Sequence, residues 1–374
     1  MAGIPPPFKR QPDKLALNVR NTYTRYIVFH SDYADAESGA MMLWTYHTYL
    51  VEIADHTPYV LVMAPTSQAG KSLLFDVATL LVHNPMPIVD PSPAALYSMI
   101  EEYRPTLMID EADMLTENKA LRVILNAGFQ PGKPVARAAQ TYNVYCAKMF
   151  SGIAGEKPPL TEATLSRCIQ IPLRRKSPHE HVEKFSARLA VHETALIKAA
   201  LGSWADMHKD ELSHAEPALV EGLDDRQQDI WMPLLAIADA IGYGDEARVW
   251  ARTLTNAIPR PPDPAVQILN DVKRVLDAFD GSKIPSAMLA DLRNALDERD
   301  YEDDLTTMQL SKRLAGFGIH RDANVFRWGT GRAAPVVRGY TFRTGGRYAH
   351  QWQDAFIRYG LLESRNADSV RQSR

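Results

Sequence analysis

The sequence predicts an α/β fold: a buried parallel sheet with a helical lid after it, then a helical segment and a C-terminal winged helix. Three observations predict it. The first is Tyr59 to Leu74, YVLVMAPTSQAGKSLL, an apolar run, a loop ending Gly70-Lys71-Ser72, and a second apolar run with helical spacing. The second is Pro105 to Asp113, PTLMIDEAD, an apolar run that stops at two adjacent acids. The third is the stretch from Leu305 onward, in which helix, strand, turn and strand signals follow one another.

The run YVLVMA is β-branched and apolar, as a strand covered on both faces requires, and SLLFDVATLL has the 3.6-residue spacing of a helix. Between them Pro65, Thr66, Ser67, Gln68, Ala69, Gly70, Lys71, Ser72 and Leu73 form a candidate phosphate loop. In such a loop backbone N–H groups wrap phosphate oxygens at the positive end of a helix. Lys71 neutralises the β/γ-phosphates and the Ser72 hydroxyl holds Mg²⁺. Gly70 lets the backbone come close. The common form also begins with glycine five positions before Gly70; Pro65 stands there, without an N–H and barred from positive φ, so the loop must start differently. A lone Gly-Lys-Ser can also be a surface turn opening a helix, but the flanking runs argue against that here.

A strand from Thr106 to Ile109 delivers Asp110 to its carboxyl end, where it can hold the Mg²⁺ shell through water, while Glu111 is placed to polarise an attacking water. The two motifs together predict a nucleoside triphosphate site of the P-loop kind. Guanine specificity is unsupported, because the Asn118-Lys119 pair has leucine where a base-reading aspartate is required; ATP is the expected nucleotide. A helix from about Lys119 to Asn126 follows. Then come a turn-rich stretch, Gly128 to Pro134, a β-like run, Tyr142 to Ile153, and Leu165-Ser-Arg-Cys-Ile-Gln-Ile, where Arg167 opens another β-like run.

This order resembles the AAA+ ATPases. The resemblance implies Ser151 as the first sensor and Arg167 as an arginine finger reaching the γ-phosphate of a neighbouring subunit, with Arg174 and Arg175 as fallback candidates. A solvated arginine at the start of a strand is the other reading of Arg167. Arg226, at the head of the helix in DDRQQDIWMPLLAIAD, matches the placement of a second sensor, although a local surface pair accounts for it nearly as well. More closely, WTYHTYL, APTSQAGKSLL, PTLMIDEADML, ENKALRVILNAG, LSRCIQIPLRRK, DDRQQDIWMPLLAIAD and LSKRLAGFGI…RGYTF resemble the domain of unknown function 3631, over residues 24 to 360. That family occurs in phage, prophage and plasmid proteins, often beside primase or helicase modules. Its Ser-Pro loop start is similar to the Ala-Pro here. The resemblance implies a mobile-element replication ATPase in the cytoplasm of a bacterial host, forming a homo-oligomeric ring such as a hexamer, with a primase or other replication protein as a partner.

The remaining chain is organised as a flexible tail (1–14), N-terminal helices (15–57), the ATPase core (58–176), a helical lid (177–258), a proline-rich linker (259–264), a helical pair (265–304) and the winged helix (305–374). The lid begins with a long amphipathic helix pattern, SPHEHVEKFSARLAVHETALIKAALGSWADMHKDEL. At 45% apolar and 23% charged residues, the chain reads as a soluble globular protein. Cys146 and Cys168 lie in apolar runs without metal-ligand spacing and read as reduced core thiols. The proline-rich, polar start does not read as a signal peptide, and no run approaches membrane-span length, so a soluble protein is expected.

Two places are candidates for DNA. FQPGKPVARAAQTY could form a hairpin with Lys133 near its tip and Arg137 on its return; an exposed turn with solvated charges is the alternative. The segment from Leu305 to Arg374 carries 12 Lys/Arg against 4 Asp/Glu in a chain of net charge −3. Its wing offers Arg327, Arg332, Arg338, Arg343 and Arg347, with Trp328 and Tyr340 interleaved, which suits phosphate neutralisation. A wing used for protein contacts, its charge offset by DERDYEDD at 297–304, is the alternative. Three functions follow: an oligomeric ATP-driven helicase or translocase, an ATP-switched initiator or helicase loader, and a DNA-binding scaffold with a vestigial nucleotide site.

Overall fold

The computed structural model describes residues 13–30, 32–66, 68–89, 91–112, 118–137, 140–153, 159–257, 264–301, 303–323, 325–329, 333–343 and 349–362. Residues 1–12 of the expected tail, 259–263 of the expected linker, and Ser67, Arg332 and Arg347 lie outside them. The chain divides into two compact units, 1–259 and 260–374.

In the first unit, helices α1 (Lys14–Tyr26) and α2 (Ala34–Thr48) precede β1 (Tyr59–Ala64), α3 (Lys71–Leu81), β2 (Pro85–Ile88), α4 (Pro93–Tyr103), β3 (Thr106–Ile109) and α5 (Lys119–Ala127). There follow β4 (Val135–Arg137), β5 (Gln140–Tyr142), β6 (Lys148–Ile153), α6 (Glu162–Leu165), β7 (Cys168–Pro172), α7 (Ala187–Leu212), α8 (Asp225–Ile241) and α9 (Gly244–Ala257). The Asp13 side chain accepts the Leu15 N–H at 2.9 Å, so Asp13 and Lys14 cap and open α1 instead of belonging to a tail.

Five strands pair in the order β2-β3-β6-β1-β7, all parallel. Every residue of β1 and β3 is buried, as two covered faces demand. Since the strands run one way, Ala64, Ile109, Ile153 and Pro172 end on one edge of the sheet, the carboxyl edge. Tyr59, Thr106, Lys148 and Cys168 start on the opposite, amino edge. Helix α2 is buried from Ala36 to Thr48. A Cβ on Gly39 would come within 2.5 Å of the Trp250 ring, so only glycine lets α9 approach there. The end of α2 is tied to the amino edge by Trp44 Nε1, which donates to the Pro58 carbonyl at 2.9 Å, and by His47 Nε2, 2.9 Å from Thr57 Oγ1.

Three elements differ from expectation. The run from Tyr142 to Ile153 is split, because the buried Lys148 ammonium takes the carbonyls of Val144 and Cys146 and holds 143–147 out of the sheet. The lid helix starts at Ala187. Pro178, the Arg174–Glu180 pair and the Glu183 N–H bonded to the Arg25 carbonyl keep 177–186 non-helical. The hairpin exists as β4 against β5, but its turn lies between Arg137 and Gln140. Lys133 therefore precedes β4 at the open end, and Arg137 is the residue beside the turn.

The second unit holds α10 (Pro264–Ala278), β8 (Lys283–Pro285), α11 (Ser286–Asn294), α12 (Thr307–Gly316), β9 (Phe326–Arg327), β10 (Val336–Val337), β11 (Gly339–Thr341) and α13 (Ala349–Arg358). β9 pairs with β10, and β11 pairs with β8, a short strand between the two expected helices. Tyr340 does not interleave with exposed arginines. It is 1% exposed, its ring 5.5 Å from Trp352 in the unit's core, because it alternates inward on β11. Among the described residues no helix is long and apolar enough to cross a membrane.

Candidate functional site

The turn from β1 into α3 is glycine-dependent at one position. Gly70 caps α3 at φ +90°, and a Cβ there would meet nothing within 4 Å, so conformation and not space selects glycine. Gln68 is also left-handed, at φ +61°. Among the described residues of the loop the left-handed positions are 68 and 70, and Pro65 is not asked to adopt one. Pro65, Thr66 and Gln68 are exposed and Ala69 is buried. Lys71, Ser72 and Leu73 form the first turn of α3, where backbone N–H groups have no intrahelical partner.

The strand register brings the acids to this turn. Ile109 pairs with Phe150, so the next residues, Asp110 and Ser151, stand side by side. Ser151 Oγ donates to Asp110 Oδ1, and Ser72 Oγ donates to Asp110 Oδ2 at 3.3 Å. The Glu111 N–H reaches Asp110 Oδ1 at 3.1 Å and Ser151 Oγ at 3.3 Å. These bonds hold Glu111 at φ +58°, an unusual backbone for a side-chain-bearing residue, with its carboxylate exposed. Asp76 on α3 has its carboxyl pKa pushed up by burial and by the charge of Asp110.

A cation beside Asp110 would relieve that repulsion. Ser72 and Asp110 are hard oxygen donors and fit Mg²⁺, which takes few protein ligands and completes its octahedron with water and phosphate oxygens. Among the described residues no group of three or more His, Cys, Asp or Glu gathers to hold a metal unaided.

Two arginines follow β7 onto the same edge. Arg175 Nη2 donates to Gln68 Oε1 at 2.6 Å, a contact that no motif announces. Arg174 is committed to Glu180, which it holds at a pKa of about 2. At the head of α2, Glu37 is wholly buried. It accepts the His30 N–H at 2.7 Å, and its Oε1 has no partner. Burial lifts its carboxyl to about 8, opposed by the His30 bond and the charge of Arg174. The His30 and Tyr33 rings stack beside it, 4.9 Å apart.

Arg167 and Arg226 stand at the amino edge instead. The Arg167 carbonyl accepts the Tyr59 N–H at 3.0 Å, at the start of β1. The Arg167 guanidinium lies 5.6 Å from the Phe129 ring centre and that of Arg226 5.4 Å from the same ring. Arg167 donates through Nη1 to the Ala163 carbonyl, and its buried Nε has no partner. Burial, then Arg226, lower its pKa. Arg226 follows the Asp224 capping box and reaches Asp229 at 3.5 Å. His56 packs on Phe129 with ring centres 5.0 Å apart and is 3.8 Å from Asp229; both Arg226 and Lys133 bear on its charge.

Of the remaining candidates, Arg137 stacks on Tyr97 at 5.2 Å. In the second unit Arg327, Arg338 and Arg343 are exposed. Arg343 Nη2 donates to the Phe279 carbonyl at 2.6 Å, and Trp328 is half-buried against Phe279. Phe129, Glu37, His30 and Tyr33 carried no sequence signal. Phe129 meets Arg167 and Arg226 at the amino edge, whereas His30, Tyr33 and Glu37 meet one another at the head of α2.

Three solved structures are similar in part. The apo A form of the NrS-1 C-terminal region is 12% identical, covers 91% of this chain and 79% of that one, and has a TM-score of 0.47. The SCCmec type IV Cch active helicase is 12% identical, with coverages of 92% and 72% and a TM-score of 0.42. The Aeropyrum pernix ORC1 protein in complex with DNA is 12% identical, with coverages of 92% and 98% and a TM-score of 0.26. No curated protein matches the sequence. Residues 172–359, half of the chain, match the family described as "Protein of unknown function (DUF3631)". The protein is a member of the DUF3631 family.

Proposed function

We propose that this chain is an ATP-hydrolysing subunit of an oligomeric DNA helicase or translocase that serves replication of a phage or other mobile element. The observation that carries the reading is the convergence of Ser72, Asp110, Ser151 and the Glu111 backbone on one point beside the Gly70 turn. In this reading the first-turn amides of α3 and Lys71 bind the phosphates. Ser72 and, through water, Asp110 would hold Mg²⁺, which would supply charge neutralisation at the phosphate oxygens. Ser151 orients Asp110 and fixes the Glu111 backbone, and the Glu111 carboxylate orients the attacking water. Arg175 adds a cation from the same subunit, and Arg167 serves the neighbouring subunit's γ-phosphate. The strand order, with the Ser151 strand between those of the phosphate loop and Asp110, supports an AAA+ core. The pairing of β8 with β11 and of β9 with β10 around α11 and α12 supports a winged helix presenting Arg327, Arg338 and Arg343 to DNA phosphates.

An ATP-switched initiator or loader is the second reading, and it gains from Lys133 standing away from the hairpin turn. The deciding measurement is steady-state ATP hydrolysis without DNA, with single-stranded DNA and with duplex DNA, for wild type, Glu111→Gln and Arg137→Ala. DNA stimulation lost in Arg137→Ala supports the motor. Hydrolysis abolished by Glu111→Gln but indifferent to DNA supports the switch. No hydrolysis under any condition sinks the motor.

A further inference from the structure

We infer that Arg226 acts on the nucleotide of a second copy of this chain, jointly with Arg167, and that Phe129 is the residue that positions the pair; the inference rests on the nucleotide-hydrolysing reading above. Two guanidinium groups share one aromatic ring, at 5.6 and 5.4 Å from its centre. Like charges held this close cost free energy unless an anion is expected between or beside them. Arg226 has Asp229 at 3.5 Å, an acid that His56 also draws on, while Arg167 contacts a neutral carbonyl and keeps a buried Nε without a partner. A doubly or triply charged phosphate chain is the ligand such a cluster fits.

That phosphate cannot be the chain's own. Phe129 packs on Tyr59, ring centres 6.0 Å apart, at the start of β1, whereas the phosphate loop begins after Ala64. Five steps of strand cover about 17 Å at about 3.3 Å each, before the loop itself is counted. An arginine side chain does not span that. The cluster is instead a ready-made complement to the carboxyl edge of another copy, where Lys71, Ser72 and Asp110 hold the triphosphate.

The test is subunit complementation. Lys71→Ala, Arg167→Ala and Arg226→Ala are each made alone, and then Lys71→Ala is co-expressed with either arginine variant on a second tag and purified through both tags. A Lys71→Ala copy still donates its arginines, and an Arg226→Ala copy still offers an intact loop. Each single variant is expected to hydrolyse ATP at least about tenfold more slowly than wild type. The Arg226→Ala/Lys71→Ala mixture is expected to recover about a quarter of the wild-type rate, the share of junctions that random mixing makes whole in a ring. Phe129→Leu should behave as Arg226→Ala does: slow alone, rescued by Lys71→Ala, and unchanged in its own affinity for a fluorescent ATP analogue. Recovery with Arg167→Ala but not with Arg226→Ala would assign Arg226 to its own subunit and overturn the inference. Failure of the two tags to co-purify would overturn it as well, for want of a neighbour. Absence of hydrolysis in the wild type would be a different failure, that of the nucleotide-hydrolysing reading itself.

Discussion

Glu37 is a carboxylic acid that the fold prefers to keep neutral. Burial is the dominant cause, and the His30 N–H and Arg174 only partly oppose it, so its pKa stands near 8 against an ordinary 4.5. A carboxyl whose folded pKa is raised contributes its full stability below the unfolded value. It loses that stability as pH rises from about 4.5 through about 8, because the unfolded chain releases the proton first. Glu37→Gln keeps the acceptor for His30 and removes the charge. Its thermal midpoint should match wild type near pH 5 and exceed it above pH 8, by the equivalent of about 1–3 kcal/mol. A midpoint difference that does not change with pH would show that Glu37 is ionised throughout.

At the scale of elements, Lys148 joins the end of α5 to the strand beside the phosphate site. Its buried ammonium donates to the carbonyls of Gly128 at 3.2 Å, Val144 at 3.1 Å and Cys146 at 3.0 Å, and lies 4.9 Å from the Tyr59 ring. Burial lowers its pKa, opposed by Cys146, and the three carbonyls accept the ammonium's hydrogens. Lys148→Met preserves the stem and strands the carbonyls in a dry core, a loss of about 2 kcal/mol after the relieved desolvation of the charge is counted. Hydrogen exchange should accelerate between 128 and 147 more than in α1, and uniform acceleration would mean that Lys148 supports the whole core and not this junction. The same junction marks where the sequence is legible and where it is not. β1 and β3 are readable because unbroken apolar runs bounded by turn residues have few other uses, and α3 because its spacing is helical. The neighbouring of Ser151 and Asp110 is a matter of strand order, with β6 inserted between β3 and β1, and nothing in a linear pattern encodes that. Lys133 was expected at the hairpin tip because Pro131-Gly132 is a strong turn signal; the turn there leads out of α5, and the hairpin turns later. The Phe129 cluster joins four segments distant in sequence, at 56–59, 129, 167 and 226–229, and leaves no periodic trace.

At the scale of the whole molecule, the family match and the nucleotide site occupy different parts of the chain. The match runs over 172–359, from the end of β7 through α7, α8 and α9 and across the second unit, whereas Gly70, Lys71, Ser72, Asp110 and Ser151 all precede it. Membership therefore says nothing about nucleotide chemistry, and the case for hydrolysis stands on the geometry of those five residues. The second unit has its own core, formed by Ile268, Val272, Leu289, Leu310, Tyr340 and Trp352 among others. At the edge of that core Asp271 and Arg293 are both fully buried and bonded, at 3.1 Å through Nε and 2.8 Å through Nη2. Asp271 also accepts the Asp300 and Tyr301 N–H groups, and Arg293 donates to the Tyr301 and Asp303 carbonyls, so one pair pins the acidic 297–304 segment. Removing one partner leaves the other charge buried and uncompensated, a cost of about 3–5 kcal/mol. Calorimetry of Arg293→Met should show one of two unfolding transitions lowered by about ten degrees or more and the other unmoved. Asp271→Asn combined with Arg293→Met should recover part of the loss, since the orphaned charge is then gone while the acceptor for Asp300 remains. If both transitions fall together, the two cores unfold as one, and the second unit draws its stability from the first.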